Sequence, residues 1–233
     1  MVNNLNGSGF SRPNMAMGFS RPSAAPAPAS KAAAPSKDTS EEKFTFFWQG
    51  PLSQWHISKF VIDGHEYKCG EQWMMAEKAR LFNDQEIMQE ILDPFHAPKY
   101  PGGPRTPKTP KDFKALGRKV RNFDEKVWNQ HDIAIVKRGN HAKFTQNMAC
   151  LKVLLAGEGT TFVEASPYDT IWGIGLAATD PRAKVRSQWK GANKLGFILT
   201  ELSQELAITH KHILEAWEKD QLAEEILDIN LRY

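Results

Sequence analysis

Cysteine is scarce in this chain, and so are the patterns that mark metalloenzymes, disulfide scaffolds and membrane proteins. Cys69 and Cys150 are the only two in 233 residues. That is too few for a disulfide framework or a zinc cluster, and it suits a reducing compartment. A cytoplasmic or nuclear location is therefore expected. The seven histidines include no H-E-x-x-H, and His210 and His212, two apart, would point to different faces of a helix. No apolar run approaches the roughly 18 residues that a membrane span needs. Metal catalysis and a membrane partner are set aside on these grounds.

Acid is missing from the first 37 residues, which hold Arg12, Arg21, Lys31 and Lys37. The chain carries 30 basic and 27 acidic residues; without those four, 26 basic stand against 27 acidic, near −1. That balance does not suggest a basic core face for non-specific nucleic-acid binding. Residues 1–40 repeat Gly-Phe-Ser-Arg-Pro at 9–13 and 18–22, then turn rich in Ala, Pro and Ser. So little apolar surface cannot offset the entropy of ordering, and 1–43 reads as a disordered low-complexity tail. An acid-free, Arg- and Ser-containing N-terminus also raises an organellar transit peptide, but the glycines and prolines oppose the amphipathic helix such peptides form.

From Phe44 the composition changes. With 41% hydrophobic residues the chain can bury a substantial core. Thr45 to Gln49 reads as a strand, and strands at 60–62 and 65–69 flank Asp63-Gly64, a hairpin turn signal. Helices are expected over 71–82, 84–92, 111–121, 124–138, 147–155, 193–207 and 209–226. Between them, 94–110 is a proline-rich basic excursion, either a lip on a site or a neutral insertion. Thr161 to Ala165 reads as a buried strand that stops at Ser166-Pro167. The order predicts an α+β fold: a mainly helical single domain over 44–233 with a small β-sheet.

The most distinctive stretch comes directly after that last strand. Tyr168-Asp169-Thr170-Ile171-Trp172-Gly173-Ile174-Gly175 spends an acid, aromatics and two glycines on a segment without a period. Loops of that kind gather at functional sites. The plainer reading is a turn in which Asp169 bonds local N–H groups and Trp172 fills core. Residues 173–178 also match G-x-G-x-x-A, but a loop precedes the match and Thr179-Asp180-Pro181 breaks the chain after it, so no dinucleotide site is assigned.

Glu71 opens a helix, where the macrodipole favours a carboxylate. Lys78, seven residues on, shares its face about 10 Å along the axis. Met74 and Met75 between them turn that face inward. Lys78 is then either a snorkelling helix lysine or an amine able to attack a sugar aldehyde carbon as a Schiff base. Trp128 is core by default. The run 139–147 reads as a joint between two helices that holds phosphate or ribose, or else satisfies helix ends. Asn193 precedes a helix, as an anion-binding turn or a plain N-cap.

Several runs together resemble the NADAR (YbiA-like) family: Leu52-Ser53-Gln54-Trp55, Phe60 to Gly64, and Cys69-Gly70-Glu71-Gln72-Trp73-Met74-Met75 with Lys78-Ala79. Trp128, 139–147, 163–177 and 189–196 come next in the matching order, and the likeness spans roughly Phe44 to Leu206. Gln54 stands where the family usually has Asn, and Thr200-Glu201-Leu202-Ser203 lacks an Arg often found there. The resemblance implies an N-glycosidase without a cofactor. Glu71, Lys78, Asp169 and Trp128 would be its catalytic residues, and Ser53, Trp55, Asn147, Trp172, Gly173 and Asn193 would bind substrate. Breaking a C1′–N bond develops oxocarbenium character, which a carboxylate stabilises and a second can assist by moving protons.

Three functions are expected on this basis. Removal of ADP-ribose from ADP-ribosylated guanine, free or in DNA or RNA, comes first. Hydrolysis of phosphoribosyl-aminopyrimidine intermediates of riboflavin synthesis is second, and a non-catalytic NAD or ADP-ribose reader third. The set Glu71–Lys78–Asp169 argues against the reader, since binding alone does not need a buried amine.

Overall fold

In the computed structural model, residues 42–210 are described. The expected tail lies outside them apart from Glu42 and Lys43, which bond to Thr161 and so belong to the fold, and the expected helix 209–226 lies outside apart from its first two residues. Strand β1 (Phe44–Phe47) pairs in parallel with β4 (Thr161–Glu164), and β2 (Phe60–Ile62) pairs with β3 (His65–Tyr67) as an antiparallel hairpin. The β structure is thus two separate two-stranded ribbons. Asp63 and Gly64 both take positive φ (52° and 78°), the turn that matches strand twist in a tight hairpin.

Among the described residues six α-helices accompany the ribbons: α1 (Gly70–Leu81), α2 (Gln85–Leu92), α3 (Pro110–Gly117), α4 (Glu125–Gln146), α5 (Met148–Ala156) and α6 (Lys194–Thr209). The fold is mainly helical α+β. Its centre is α1, which packs on α2, α3 and α4 and buries Trp73, Met74, Met75, Ala76 and Ala79. Trp73 donates its indole N–H to Ile135 O at 2.7 Å. A Cβ at Gly139 would lie 2.2 Å from the Trp73 ring, so the two helices meet this closely only with glycine there.

The expected joint over 139–147 is not a joint. α4 runs unbroken to Gln146, because its polar side chains find partners on neighbouring chain and leave the helix ladder intact. Asn140 donates to Gln54 Oε1 (3.0 Å), and Lys143 donates to Ser53 O (2.8 Å). Gln146 brackets Val61 through both its amide atoms. This face of α4 therefore straps down the loop before β2.

The proline-rich excursion is stapled rather than loose. Buried Lys108 donates to the carbonyls of Glu90, Asp93 and Phe95 at 2.8–2.9 Å, which satisfies one carbonyl of the last turn of α2 and two in the chain just beyond it. Thr109 and Asp112 form a capping box with Pro110 at the first turn, and α3 begins there. The segment serves as the rigid lead-in to α3.

Candidate functional site

One cavity of about 1250 Å³ opens between the loop 48–57, α1, α3, the start of α4 and the loop after β4. On α1 the lining residues are Glu71, Met74, Met75 and Lys78, spaced as one helical stripe. α3 adds Lys114, and Arg118 sits just past its end. Trp128 comes from α4, and Glu164, Asp169 and Trp172 from β4 and the loop beyond it. Of the residues expected from the sequence, Glu71, Lys78, Asp169, Trp128, Ser53, Trp55 and Trp172 all face this space.

Glu71 is 3% exposed. Its Oε2 accepts the Trp55 indole N–H at 3.1 Å, while Oε1 has no partner. Burial pushes its carboxyl up to about 7, against the pull of Lys114 and the Trp55 hydrogen bond. Burial also lowers Lys78, helped by the charge of Arg118 and opposed by Glu71. Its ammonium lies 3.9 Å from the centre of the Phe123 ring and 6.0 Å from that of Trp128. Acid and amine thus share one apolar wall, a setting that favours the uncharged, nucleophilic amine.

Asp169 fulfils the plainer reading as well as facing the cavity. Its Oδ1 accepts from Ile171 N (2.9 Å) and Trp172 N (2.8 Å), and Oδ2 lies 4.0 Å from Lys114 Nζ. It fixes the loop that presents Trp172. A second tie comes from Lys194, whose Nζ lies 2.5 Å from the buried Asp132 and 5.7 Å from the centre of the Trp172 ring. At the mouth, Trp48 and Tyr168 stand with ring centres 6.1 Å apart, both exposed.

Three expected binding residues are not in the lining. Asn147 donates to Lys59 O (2.9 Å) and Lys143 O (2.8 Å), ending α4. Asn193 occupies the N-cap position of α6 without a side-chain capping bond, and it does not line the cavity. Its amide bridges β4, accepting from Glu164 N and donating to Phe162 O. Gly173 packs on backbone: a Cβ there would lie 2.7 Å from Glu164 O. Asn193 and Gly173 let the loop after β4 lie flat on that strand, while Asn147 ties the end of α4 to the chain before β2.

The sequence reading passed over Glu164, Lys114 and Arg118. Burial pushes the Glu164 carboxyl up to about 8, with the charges of Asp169 and Glu71 adding and Lys114 opposing. Its one sequence signal was being the only charged residue in the run Thr161 to Ala165. Lys114 and Arg118, four apart, share one helical face, but nothing in sequence aims that face at α1. Among the described residues no group of three His, Cys, Asp or Glu side chains is placed to hold a metal ion, and no helix is long and apolar enough to cross a membrane.

Comparison with known proteins agrees with this architecture. The NADAR domain model matches residues 46–207. An N-glycosidase of Acanthamoeba polyphaga mimivirus is 40% identical over 159 residues, covering 66% of this chain and 86% of that protein. The N-glycosidase YbiA of Escherichia coli (strain K12) is 26% identical over 159 residues, covering 68% of this chain and 82% of YbiA. The NMR structure of the E. coli protein shares the fold, with a TM-score of 0.54 over 73% of this chain and 88% of that one. A chloroplastic riboflavin biosynthesis protein of Zea mays is 30% identical over 117 residues, 48% of this chain but 17% of its own length.

Proposed function

The chain belongs to the NADAR family, and we propose that it is an N-glycosidase that hydrolyses a ribose C1′–N bond, with ADP-ribosylated guanine as its substrate. The observation that carries this reading is a cavity of about 1250 Å³ that holds a buried carboxylate and a desolvated amine on one wall. Its volume exceeds the about 300–1,000 Å³ that encloses a drug-sized ligand. Such room suits a substrate as long as ADP-ribose joined to a base. Lys78, Lys114 and Arg118 supply charge for a diphosphate, and Trp48, Trp55, Trp172 and Tyr168 supply faces on which bases stack.

In this reading the Glu71 carboxylate stabilises positive charge at C1′ as the bond weakens. The Lys78 amine then bonds C1′ and gives up one proton to solvent; the ring bond C1′–O4′ breaks with O4′ taking the second proton, which leaves an imine. Water hydrolyses that imine, giving free ADP-ribose and the amine again. Trp128 covers the sugar beside Lys78, and Asp169 holds the loop that closes the opposite side.

Hydrolysis of phosphoribosyl-aminopyrimidines is the second reading, favoured by the maize relative. One incubation separates the two. The protein is given an oligonucleotide carrying ADP-ribosyl guanine and, in parallel, a phosphoribosyl-aminopyrimidine, with products followed by mass spectrometry. Release of ADP-ribose at least 100-fold faster than cleavage of the pyrimidine nucleotide supports the first reading. The reverse ratio supports the second, and tight ADP-ribose binding without turnover would reduce the domain to a reader.

A further inference from the structure

Glu164 is the last residue of β4, and its backbone is held on both sides. Its N–H donates to Asn193 Oδ1 (3.0 Å), and its carbonyl accepts from Ile174 N (2.9 Å) with Gly173 packed against it. The side chain has one direction left, into the cavity. There its Oε2 is buried with no hydrogen-bond partner. A carboxylate buried with one oxygen lacking any donor to compensate its charge is disfavoured, so the neutral acid is the favoured form. A neutral carboxylic acid is an O–H donor.

The other two acids of the cavity are differently equipped. Glu71 accepts the indole N–H of Trp55, a bond that favours its charged form. Asp169 already accepts two backbone N–H groups and faces Lys114. Both add their charge to the field at Glu164, and Lys114 acts against them. Burial holds the Glu164 proton to about pH 8, above Glu71 at about 7. Carboxyls in such unlike surroundings, one given a donor to its charged form and the other with a buried oxygen lacking one, divide into acid and base.

We propose that Glu164 is the acid that protonates the departing nitrogen of the nucleobase. As the C1′–N bond breaks, its electron pair passes to nitrogen, and that nitrogen takes the Glu164 proton. Glu164 is left as a carboxylate. The water whose oxygen ends on C1′ returns one proton to Glu164, so the acid is restored each turnover. This rests on the N-glycosidase reading, which names the bond that breaks.

The test compares parent and Glu164→Gln on two substrates: ADP-ribosyl guanine, and the same linkage to N7-methylguanine, whose positive charge lets the base leave without an added proton. General acids contribute roughly 100- to 10,000-fold. Glu164→Gln should lose at least about 100-fold in kcat on the first substrate, and about tenfold or less on the second. Equal losses on both would overturn the proposal. Unchanged ADP-ribose affinity would exclude a damaged cavity, and Glu164→Asp, with a carboxyl one methylene shorter, should recover part of the first rate. A second measurement needs no substrate. In protein labelled with ¹³C at glutamate carboxyls, one resonance should stay protonated at pH 7 and vanish in Glu164→Gln; its absence from the parent overturns the proposal on its own. If the parent cleaves neither substrate, the function reading falls, while the carboxyl titration still decides whether Glu164 holds a proton.

Discussion

Lys143 is fully buried, 0% exposed, in the last turn of α4. Burial pushes its ammonium down to about 8 from the ordinary 10.5, with the two buried thiols Cys150 and Cys69 pulling the other way. A folded value below the unfolded one means that the unfolded chain binds more protons between those two pH values. Stability from this group therefore rises with pH through that window, and is depressed below it. The depression at pH 7 is ~3 kcal/mol. Lys143→Met removes it but strips Ser53 O of its donor, a loss of about 1–3 kcal/mol. The variant should be as stable as the parent at pH 7, or up to about 2 kcal/mol more stable. As pH rises from 8 to 10.5 the parent should gain ~3 kcal/mol on the variant, because its amine sheds the charge while still donating to Ser53 O. Urea unfolding at several pH values between 7 and 10.5, with equal m-values in both chains, reads this directly. Cys69 and Cys150 are common to both chains, so their thiol ionisation largely drops out of the difference. A parent-minus-variant difference that is flat across this range refutes the reasoning. The same substitution should cut activity even at pH 7, since the freed loop carries Ser53 and Trp55, and Trp55 is the hydrogen-bond donor to Glu71.

Lys78→Arg keeps a positive charge but forms no imine, so it should lose most of the activity, several kcal/mol in barrier, while still binding ADP-ribose. Borohydride added during parental turnover should leave one ribose-derived adduct on Lys78, and near-parental turnover by Lys78→Arg with no such adduct would mean that water attacks directly. With Glu71 held to about 7, kcat/KM should climb with pH through that region as the carboxylate forms. Trp55→Phe removes a bond to the charged form, so it should move this limb to higher pH; an unmoved limb in the pH–rate profile would show that the indole does not tune the acid. Gly139→Ala drives a methyl into the Trp73 ring. It should cost about 1–3 kcal/mol and lower the melting temperature by about 3–10 °C in calorimetry, and an unchanged midpoint would mean that α1 and α4 separate freely.

Much of the fold was legible because local chemistry and tertiary demand agree. Asp63-Gly64 can form its turn without outside help, and the helical stripe 71, 74, 75, 78 is read directly from spacing. The failures have one cause. A polar run such as 139–147 carries the same residue types whether it binds a ligand or a neighbouring backbone, and only the fold shows that Ser53, Gln54 and Val61 lie beside it. For the same reason Asn147, Gly173 and Asn193 read as binding residues, while each is spent on main chain next to the cavity. Glu164 is the reverse case. Within an apolar strand its one charge looks incidental, until the strand end proves to be a cavity wall.

The two kinds of error are linked through the energetics of the site. Leaving a carboxylate oxygen of Glu71 and of Glu164 without donors is unfavourable. It persists only if the surrounding backbone cannot relax to supply them. Asn193 and Gly173 lock the backbone of Glu164, and Asn140 and Lys143 lock the loop that faces Glu71. Glu71 N also donates to Gln54 O, so the loop and the first turn of α1 move as one. The residues that brace the cavity walls are thus what keeps these carboxylate oxygens unsatisfied. A loosened strap should let a carboxylate find a local partner, so its proton affinity should fall toward that of an ordinary glutamate. Asn193→Ala measures this: it leaves every lining side chain in place, yet it should shift the highest-titrating ¹³C carboxyl resonance to lower pH. A resonance unmoved in Asn193→Ala would mean that β4 holds Glu164 in place without the Asn193 bridge.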